Sequence, residues 1–84
     1  MEQFETGMMA RSKSGHDAGK VYVITKVEEA YVYLVDGKVR TLDKPKKKKK
    51  KQVQLIKESF DIQGATDVDI KRWIKIWNKE DNQN

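Results

Sequence analysis

Short apolar runs separated by polar or glycine-containing breaks fill the first two thirds of the chain. Runs rich in β-branched and aromatic residues, bounded by such breaks, are typical of β-strands. The runs cover residues 8–11, 21–27, 30–35, 39–42 and 52–55. Five short strands joined by tight turns favour a small barrel, because a barrel closes edges that would otherwise aggregate. The pattern therefore predicts a mainly β fold.

The breaks between the runs predict particular turns. Gly15 and Gly19 bound a loop at residues 14–20, and glycine adopts positive φ without steric cost. The pair Asp36-Gly37 favours a type I′ hairpin turn before the run at 39–42. Residues 28–29 form a polar break without glycine, which predicts a hairpin of undefined turn type.

Two of the predicted strands, 21–27 and 31–35, are apolar on both faces. Val21, Val23 and Val27 alternate with Tyr22 and Ile24, so the two groups point to opposite sides. A barrel of this size has one interior, and the other face needs a cover. The C-terminal part of the chain is the candidate.

The C-terminal part carries a helical pattern. Ile70, Trp73, Ile74 and Trp77 form one stripe at helical spacing. Thr66 occupies the N-cap position, and acidic residues follow in the first turn, where the helix dipole favours them. We predict one amphipathic α-helix over residues 67–79. A docking face on the barrel is the simpler role for the two tryptophans, and a partner-binding helix is the alternative.

Composition limits the classes of protein to consider. The chain has 84 residues, which is one small domain: a barrel at 1–60 with a lysine-rich segment at 44–51, then a connector and helix at 61–84. It has no cysteine, so a disulfide, a cysteine metal site and a cysteine nucleophile are excluded. The N-terminal residues are acidic rather than apolar, and no apolar run approaches the length of a membrane span. A cytoplasmic protein is expected.

Positive charge is concentrated in one segment. Residues 38–57 hold ten basic side chains and one acidic, whereas residues 1–37 and 58–84 each hold four basic and six acidic. The whole chain has a formal net charge of +5. Such a concentration favours a polyanionic partner, nucleic acid first and an anionic membrane surface second. We expect the six consecutive lysines at 46–51 to be solvated and extended, since no local acid can screen them all. A solubilising loop or a nuclear-targeting patch is the alternative for the run.

The chain resembles the KOW motif of ribosomal proteins and transcription elongation factors that contact RNA. The matching residues are Gly7, the loop at 14–20, the strand at 21–27 and the segment Leu34-Val35-Asp36-Gly37, and the likeness continues toward Leu55. The similarity is greatest to an archaeal and eukaryotic large-subunit ribosomal protein branch and its short bacterial relatives. It implies a five-stranded SH3-like barrel whose glycine loop faces RNA. That family usually has Arg at position 16, and histidine is mostly neutral at pH 7, so the phosphate contact implied there lacks its usual charge.

Charge and resemblance together select the candidate RNA-binding residues. They are Arg11, Lys13, Gly15, His16, Gly19, Lys20, Arg40, Lys44, Lys46, Lys47, Lys48, Lys49, Lys50 and Lys51. Ordinary surface charge is the alternative for the residues around the loop. Tyr22, Tyr31 and Tyr33 could stack on unpaired bases, although packing in the barrel is the favoured role for most of them.

The sequence contains no catalytic constellation. The serines lack a base other than His16, and the chain has no phosphate-binding loop of the nucleotide-hydrolase type. We therefore predict a monomeric, non-enzymatic protein without cofactor or metal, which binds structured ribosomal RNA and contacts ribosomal proteins. The alternative is an SH3-like protein-interaction module in translation or transcription that uses the C-terminal helix. Attachment to anionic lipid ranks last, because no lipidation signal accompanies the lysines.

Overall fold

A computed structural model describes residues 3–81, with side chains described for residues 3–79. The predicted domain ends, residues 1 and 84, lie outside this range. The elements are β1 (Met8–Ser12), β2 (Val21–Val27), β3 (Tyr31–Val35), β4 (Lys46–Lys49), a 3₁₀ turn (Lys50–Gln52), β5 (Val53–Ser59) and α1 (Asp67–Asp81). The prediction of a mainly β fold with five strands and a C-terminal helix is confirmed.

The five strands form one antiparallel sheet in the order β4-β3-β2-β1-β5. β1 pairs with both β2 and β5, and β3 pairs with β2 and β4. Strands that follow each other in sequence are neighbours for β1 to β4, as short hairpin connections require. The arrangement is consistent with a small SH3-like barrel.

The predicted strand at 39–42 is wrong. The Asp36 carboxylate accepts hydrogen bonds from the backbone amides of Lys38, Val39 and Arg40 at 2.8–3.0 Å. Those donors are therefore unavailable to a strand ladder, and Val39 is 69% exposed. The type I′ turn is also wrong: it needs positive φ at both central residues, and among the described residues only glycines, Gly37 included, have positive φ.

The fourth strand is instead the lysine run itself. In β4, Lys46, Lys47, Lys48 and Lys49 pair with Leu34, Tyr33, Val32 and Tyr31 in that order. The expectation that the lysine run is extended is confirmed for these four residues. The expectation that it is solvated is confirmed for Lys47 and Lys49, which are exposed, and wrong for Lys48, which is buried. An exposed edge strand of lysines is a common way to discourage edge-to-edge association, and the side chains alternate between the two faces of the sheet.

Apolar residues fill both faces of the sheet, as the sequence predicts. One group, called here the Tyr22 cluster, comprises Ala10, Tyr22, Ile24, Val32, Leu34 and Val53. The other, called the Ile70 cluster, comprises Met9, Val21, Val23, Val35, Ile70 and Ile74. Val27 packs against the Tyr22 cluster rather than with Val21 and Val23. The prediction is wrong there because the β2–β3 register shifts between Ile24 and Lys26, which moves later residues to the other face.

Helix α1 covers the second face. Ile70 and Ile74 are buried, while Trp73 and Trp77 pack at the margin of the Ile70 cluster and Trp73 stacks on Phe60 with ring centroids 4.7 Å apart. The helix begins with the predicted cap: the Asp69 amide donates to Thr66 Oγ1, and the Thr66 amide donates to the Asp69 carboxylate. The Thr66 backbone hydrogen bond is the main cause that lowers the pKa of Asp69 from its ordinary value.

Glycine lets the β3–β4 connection approach the helix backbone closely. At Gly37 a Cβ atom would collide with the Asp67 carbonyl oxygen and lie 2.9 Å from the Lys71 nitrogen. The Leu42 amide also donates to the Asp67 carboxylate at 2.8 Å. These contacts attach the connection to the first turn of α1.

Within residues 3–81 no helix combines the length and the apolar character that crossing a bilayer needs.

Candidate nucleic-acid interface

The β1–β2 loop, residues 13–20, is closed by backbone hydrogen bonds. The Ser12 amide donates to the Lys20 carbonyl at 2.9 Å, and the Gly19 amide donates back to the Ser12 carbonyl at 2.8 Å. Gly15 and Gly19 have φ of +91° and +90°, so the prediction that the two glycines set the turn is confirmed. The loop is thus a defined surface with Lys13, His16 and Lys20 exposed on it.

A buried carboxylate lies beneath this loop. Asp17 is only 6% exposed. Its Oδ1 accepts from Ser12 Oγ at 2.9 Å and from Lys48 Nζ at 3.2 Å. Its Oδ2 accepts from Tyr22 Oη at 2.9 Å and pairs with Lys46 Nζ at 3.1 Å. Both oxygens therefore have two donors, which is the condition for keeping a charge out of water.

The four donors determine how Asp17 titrates. Burial would raise the pKa of the Asp17 carboxyl, but the hydrogen bonds from Ser12, Tyr22, Lys46 and Lys48 outweigh burial and hold it well below its ordinary value. Burial, and then the hydrogen bond to Asp17, raises the pKa of Tyr22 well above its ordinary value. Asp17 is therefore a carboxylate and Tyr22 a neutral donor throughout the physiological range.

The lysine segment joins the loop through this carboxylate. Lys48 Nζ donates to the Ser14 carbonyl at 2.9 Å as well as to Asp17, and the Lys48 side chain is 8% exposed. Lys46 is 26% exposed. The single negative charge of Asp17 balances one of these two ammonium groups. The ion pairs hold the loop beside strand β4, although Asp17 and Lys48 are 31 residues apart in sequence.

The alternate lysines of β4 point to the other side of the sheet. Lys47 Nζ lies 4.5 Å from the Tyr31 ring centroid and 5.8 Å from that of Tyr33, and Lys26 Nζ lies 5.2 Å from the Tyr33 ring. We call this surface the tyrosine–lysine face; its members are Tyr31, Tyr33, Lys26, Lys47 and Lys49. Glu28 is its acidic neighbour, 3.7 Å from Lys26 and 3.8 Å from Lys47.

The three tyrosines lie in two different environments. Tyr22 is 3% exposed and belongs to the Tyr22 cluster, so barrel packing is its role. Tyr31 and Tyr33 are half-buried on the opposite side of the sheet and belong to neither cluster. Packing in the interior therefore does not account for these two rings.

The remaining residues predicted to bind RNA lie in β1, in the β3–β4 connection and in the lysine segment itself. Lys49 and Lys51 are exposed, and Lys50 Nζ lies 5.5 Å from the Phe4 ring. The Arg11 guanidinium lies 5.4 Å from a Trp77 ring centroid. Arg40 and Lys44 lie in the β3–β4 connection, where the Arg40 carbonyl accepts the amides of the Asp36–Gly37 turn at 2.8–3.0 Å.

A basic cleft beside the loop contains residues that the sequence analysis did not select. It has a volume of about 610 Å³, and its lining includes Lys20, Lys38, Lys71, Lys75 and Asn78. Lys71 and Lys75 are four residues apart, so both lie on one side of α1. That spacing is visible in the sequence, but the meeting of this side with Lys20 depends on how the helix docks.

The interface can contribute charge, hydrogen-bond donors and aromatic surface. Within the described residues no three His, Asp or Glu side chains gather as a metal site requires. Comparison with models of known protein families and with curated proteins gives no match. The resemblance to the KOW motif therefore depends on Gly7, the loop at 14–20, the strand at 21–27 and the segment at 34–37.

Proposed function

We propose that this protein is an RNA-binding protein of the KOW type, associated with ribosomal RNA or the ribosome. The observation that carries the proposal is the contact between the two elements predicted to bind RNA: Lys46 and Lys48 bind Asp17, which holds the β1–β2 loop beside the lysine strand β4. Two elements that the sequence selected separately thus become neighbours.

The lysines divide into structural and exposed groups. Lys46 and Lys48 bind Asp17, whereas Lys13 and Lys20 are exposed on the loop and Lys49 and Lys51 are exposed on the lysine segment. Each exposed lysine that contacts a phosphate releases a counterion, which gives affinity without sequence preference. The closed loop would then select among RNAs by shape, through contacts to phosphates and 2′-hydroxyls.

The alternative is a protein-interaction module that uses α1. Ile70 and Ile74 are buried against the sheet, so the stripe first considered for a partner is occupied. Val68 and Ile76 remain exposed at 62% and 49%. The Ile76→Ser variant distinguishes the two functions. Its RNA binding should be unchanged, whereas binding of a partner protein to this side of the helix should be lost.

The test is a titration against a structured ribosomal RNA fragment, an unrelated RNA hairpin and a DNA duplex, each at several salt concentrations. The Lys49→Ser, Lys51→Ser double variant should bind RNA more weakly at low salt. Its slope of log affinity against log salt should be less steep by about 1.4–1.8, the value for two lost phosphate contacts.

The matched control is the Lys57→Ser, Lys79→Ser double variant, which has the same net charge and changes exposed lysines outside the β1–β2 loop and the six consecutive lysines at 46–51. It should keep most of the wild-type affinity and slope. Equal losses in the two double variants would show that net charge alone drives binding. Absence of RNA binding by the wild-type protein would refute the proposed function and leave the alternative.

A further inference from the structure

Tyr31 occupies an unusual position for a half-buried ring on this sheet. It is on the tyrosine–lysine face, opposite Lys49 in the β3–β4 register, with Lys47 Nζ 4.5 Å from its centroid. This cation lies over one face of the ring and is attracted to it, so a base would have to stack on the opposite face. The ring is thus presented beside positive charge and outside both apolar clusters.

Tyr31 also lines a groove at the end of the sheet. The groove has a volume of about 400 Å³ and is lined by Glu29, Ala30, Tyr31, Lys49, Lys50 and Lys51. The Lys50 amide donates to the Ala30 carbonyl at 3.0 Å, which fixes the 3₁₀ turn against the β2–β3 turn. The two walls of the groove are therefore held together by a backbone hydrogen bond. The volume of the groove lies within the usual range for a small-ligand site.

We propose that this groove binds one unpaired nucleotide of an RNA strand. The base stacks on Tyr31, and the phosphates on either side of it contact Lys49 and Lys51. The proposal rests on the proposed RNA-binding function and names the form of RNA that this part of the surface takes: a single-stranded end, loop or bulge next to a structured region.

The chemistry of the lining favours a nucleotide over a phosphate or an acidic peptide. A phosphate alone would not use the aromatic ring, and base stacking on aromatic side chains is the common way in which proteins hold unpaired RNA. The groove lining contains three lysines and one acid, Glu29, so its electrostatics favour an anionic strand. A paired base is excluded from stacking there because its faces are already covered in the duplex.

The experiment compares two tyrosine variants on the same strand face. Binding is measured to a single-stranded oligonucleotide, to its duplex, and to the same strand carrying abasic positions. Tyr31→Ala should lower affinity for the ordinary single strand by about tenfold, the loss expected for one base–aromatic stack. It should have little effect on the duplex or the abasic strand, and Tyr31→Phe should retain affinity because the ring remains.

Tyr33→Ala is the matched control, since Tyr33 is two residues away on the same face but does not line the groove. It should cost the single strand much less than Tyr31→Ala. Equal effects of the two variants, or an equal loss on the abasic strand, would overturn the base-stacking proposal while leaving RNA binding in place. If adenosine monophosphate bound as tightly as the strand, a free nucleotide would replace RNA as the ligand. Circular dichroism confirms that each variant is folded.

Discussion

At the scale of single residues, Asp17 is the group on which the interface depends. Its sequence context, between two glycines in a polar loop, gives no sign that it is buried. The structure surrounds it with Ser12, Tyr22, Lys46 and Lys48, which come from two adjacent strands and from one distant strand. Sequence reasoning could predict the loop but not this convergence, because the partners meet only after β3 and β4 have paired.

We predict that Asp17→Asn destabilises the protein by about 3 kcal/mol. The substitution leaves the buried Lys48 ammonium without a charged partner, which is the costly way to break a buried pair. Urea unfolding followed by tryptophan fluorescence measures the loss. Asp43→Asn is the control, because it removes the same charge from an exposed site, and its effect should stay within about 0.5 kcal/mol.

Acid titration gives the same prediction a second readout. Since the pKa of Asp17 is lower in the folded protein than in the unfolded chain, its contribution is complete above the unfolded value and is lost as the pH falls toward the folded value. The unfolding free energy of the wild type should therefore decrease below about pH 4. Asp17→Asn should flatten that decrease, and an equally steep curve in the variant would contradict the role given to Asp17.

At the scale of elements, the lysine strand shows where pattern reading fails. Residues 39–42 alternate like a strand, yet the Val39 and Arg40 amides donate to the Asp36 carboxylate and the segment forms no strand. Residues 46–49 are all lysine and carry no alternation, yet they form β4. Strand pairing uses backbone groups, which lysine supplies as well as valine does, and the alternation reappears in the partners: Asp17 on one side and Tyr31 with Tyr33 on the other.

The two sides of β4 should separate stability from binding. Lys48→Gln removes a donor to Asp17 and Ser14, so it should lower the unfolding free energy by about 2 kcal/mol. Lys49→Gln, the next residue on the exposed side, should leave stability within about 0.5 kcal/mol and weaken RNA binding at low salt. Urea unfolding and RNA titration on both variants test this, and similar stability losses in the two would refute the division.

At the scale of the whole molecule, one sheet is shared by two apolar clusters. The sequence predicted this need for a cover, because two strands are apolar on both faces, and helix α1 supplies it through Ile70 and Ile74. A chain of this size buries a modest fraction of its surface, so each cluster is a substantial part of the total stability. The sequence could not predict that the cover stops short of Tyr31 and Tyr33.

We predict that Ile70→Ala destabilises the whole domain by about 3 kcal/mol, the usual cost of truncating a fully buried aliphatic side chain. Ile70 is 0% exposed. Fluorescence and circular dichroism should report coincident unfolding, because the helix and the sheet share one cluster. Val68→Ala is the control on the same helix, at 62% exposure, with an expected effect within about 0.5 kcal/mol. Separate transitions for helix and sheet would contradict the shared cluster.

The bond between Asp17 and the lysine strand can form only after residue 48 has been made, because Lys48 follows Asp17 by 31 residues. Residues 1–37 carry six acidic and four basic side chains, so this part of the chain has a net charge of −2 and does not contain the lysines that bind Asp17. The cations that lock the β1–β2 loop and those that would bind phosphate are made together, within a few residues of one another. A growing chain that has not reached residue 46 therefore has neither the cations that satisfy Asp17 nor the consecutive lysines of the exposed edge.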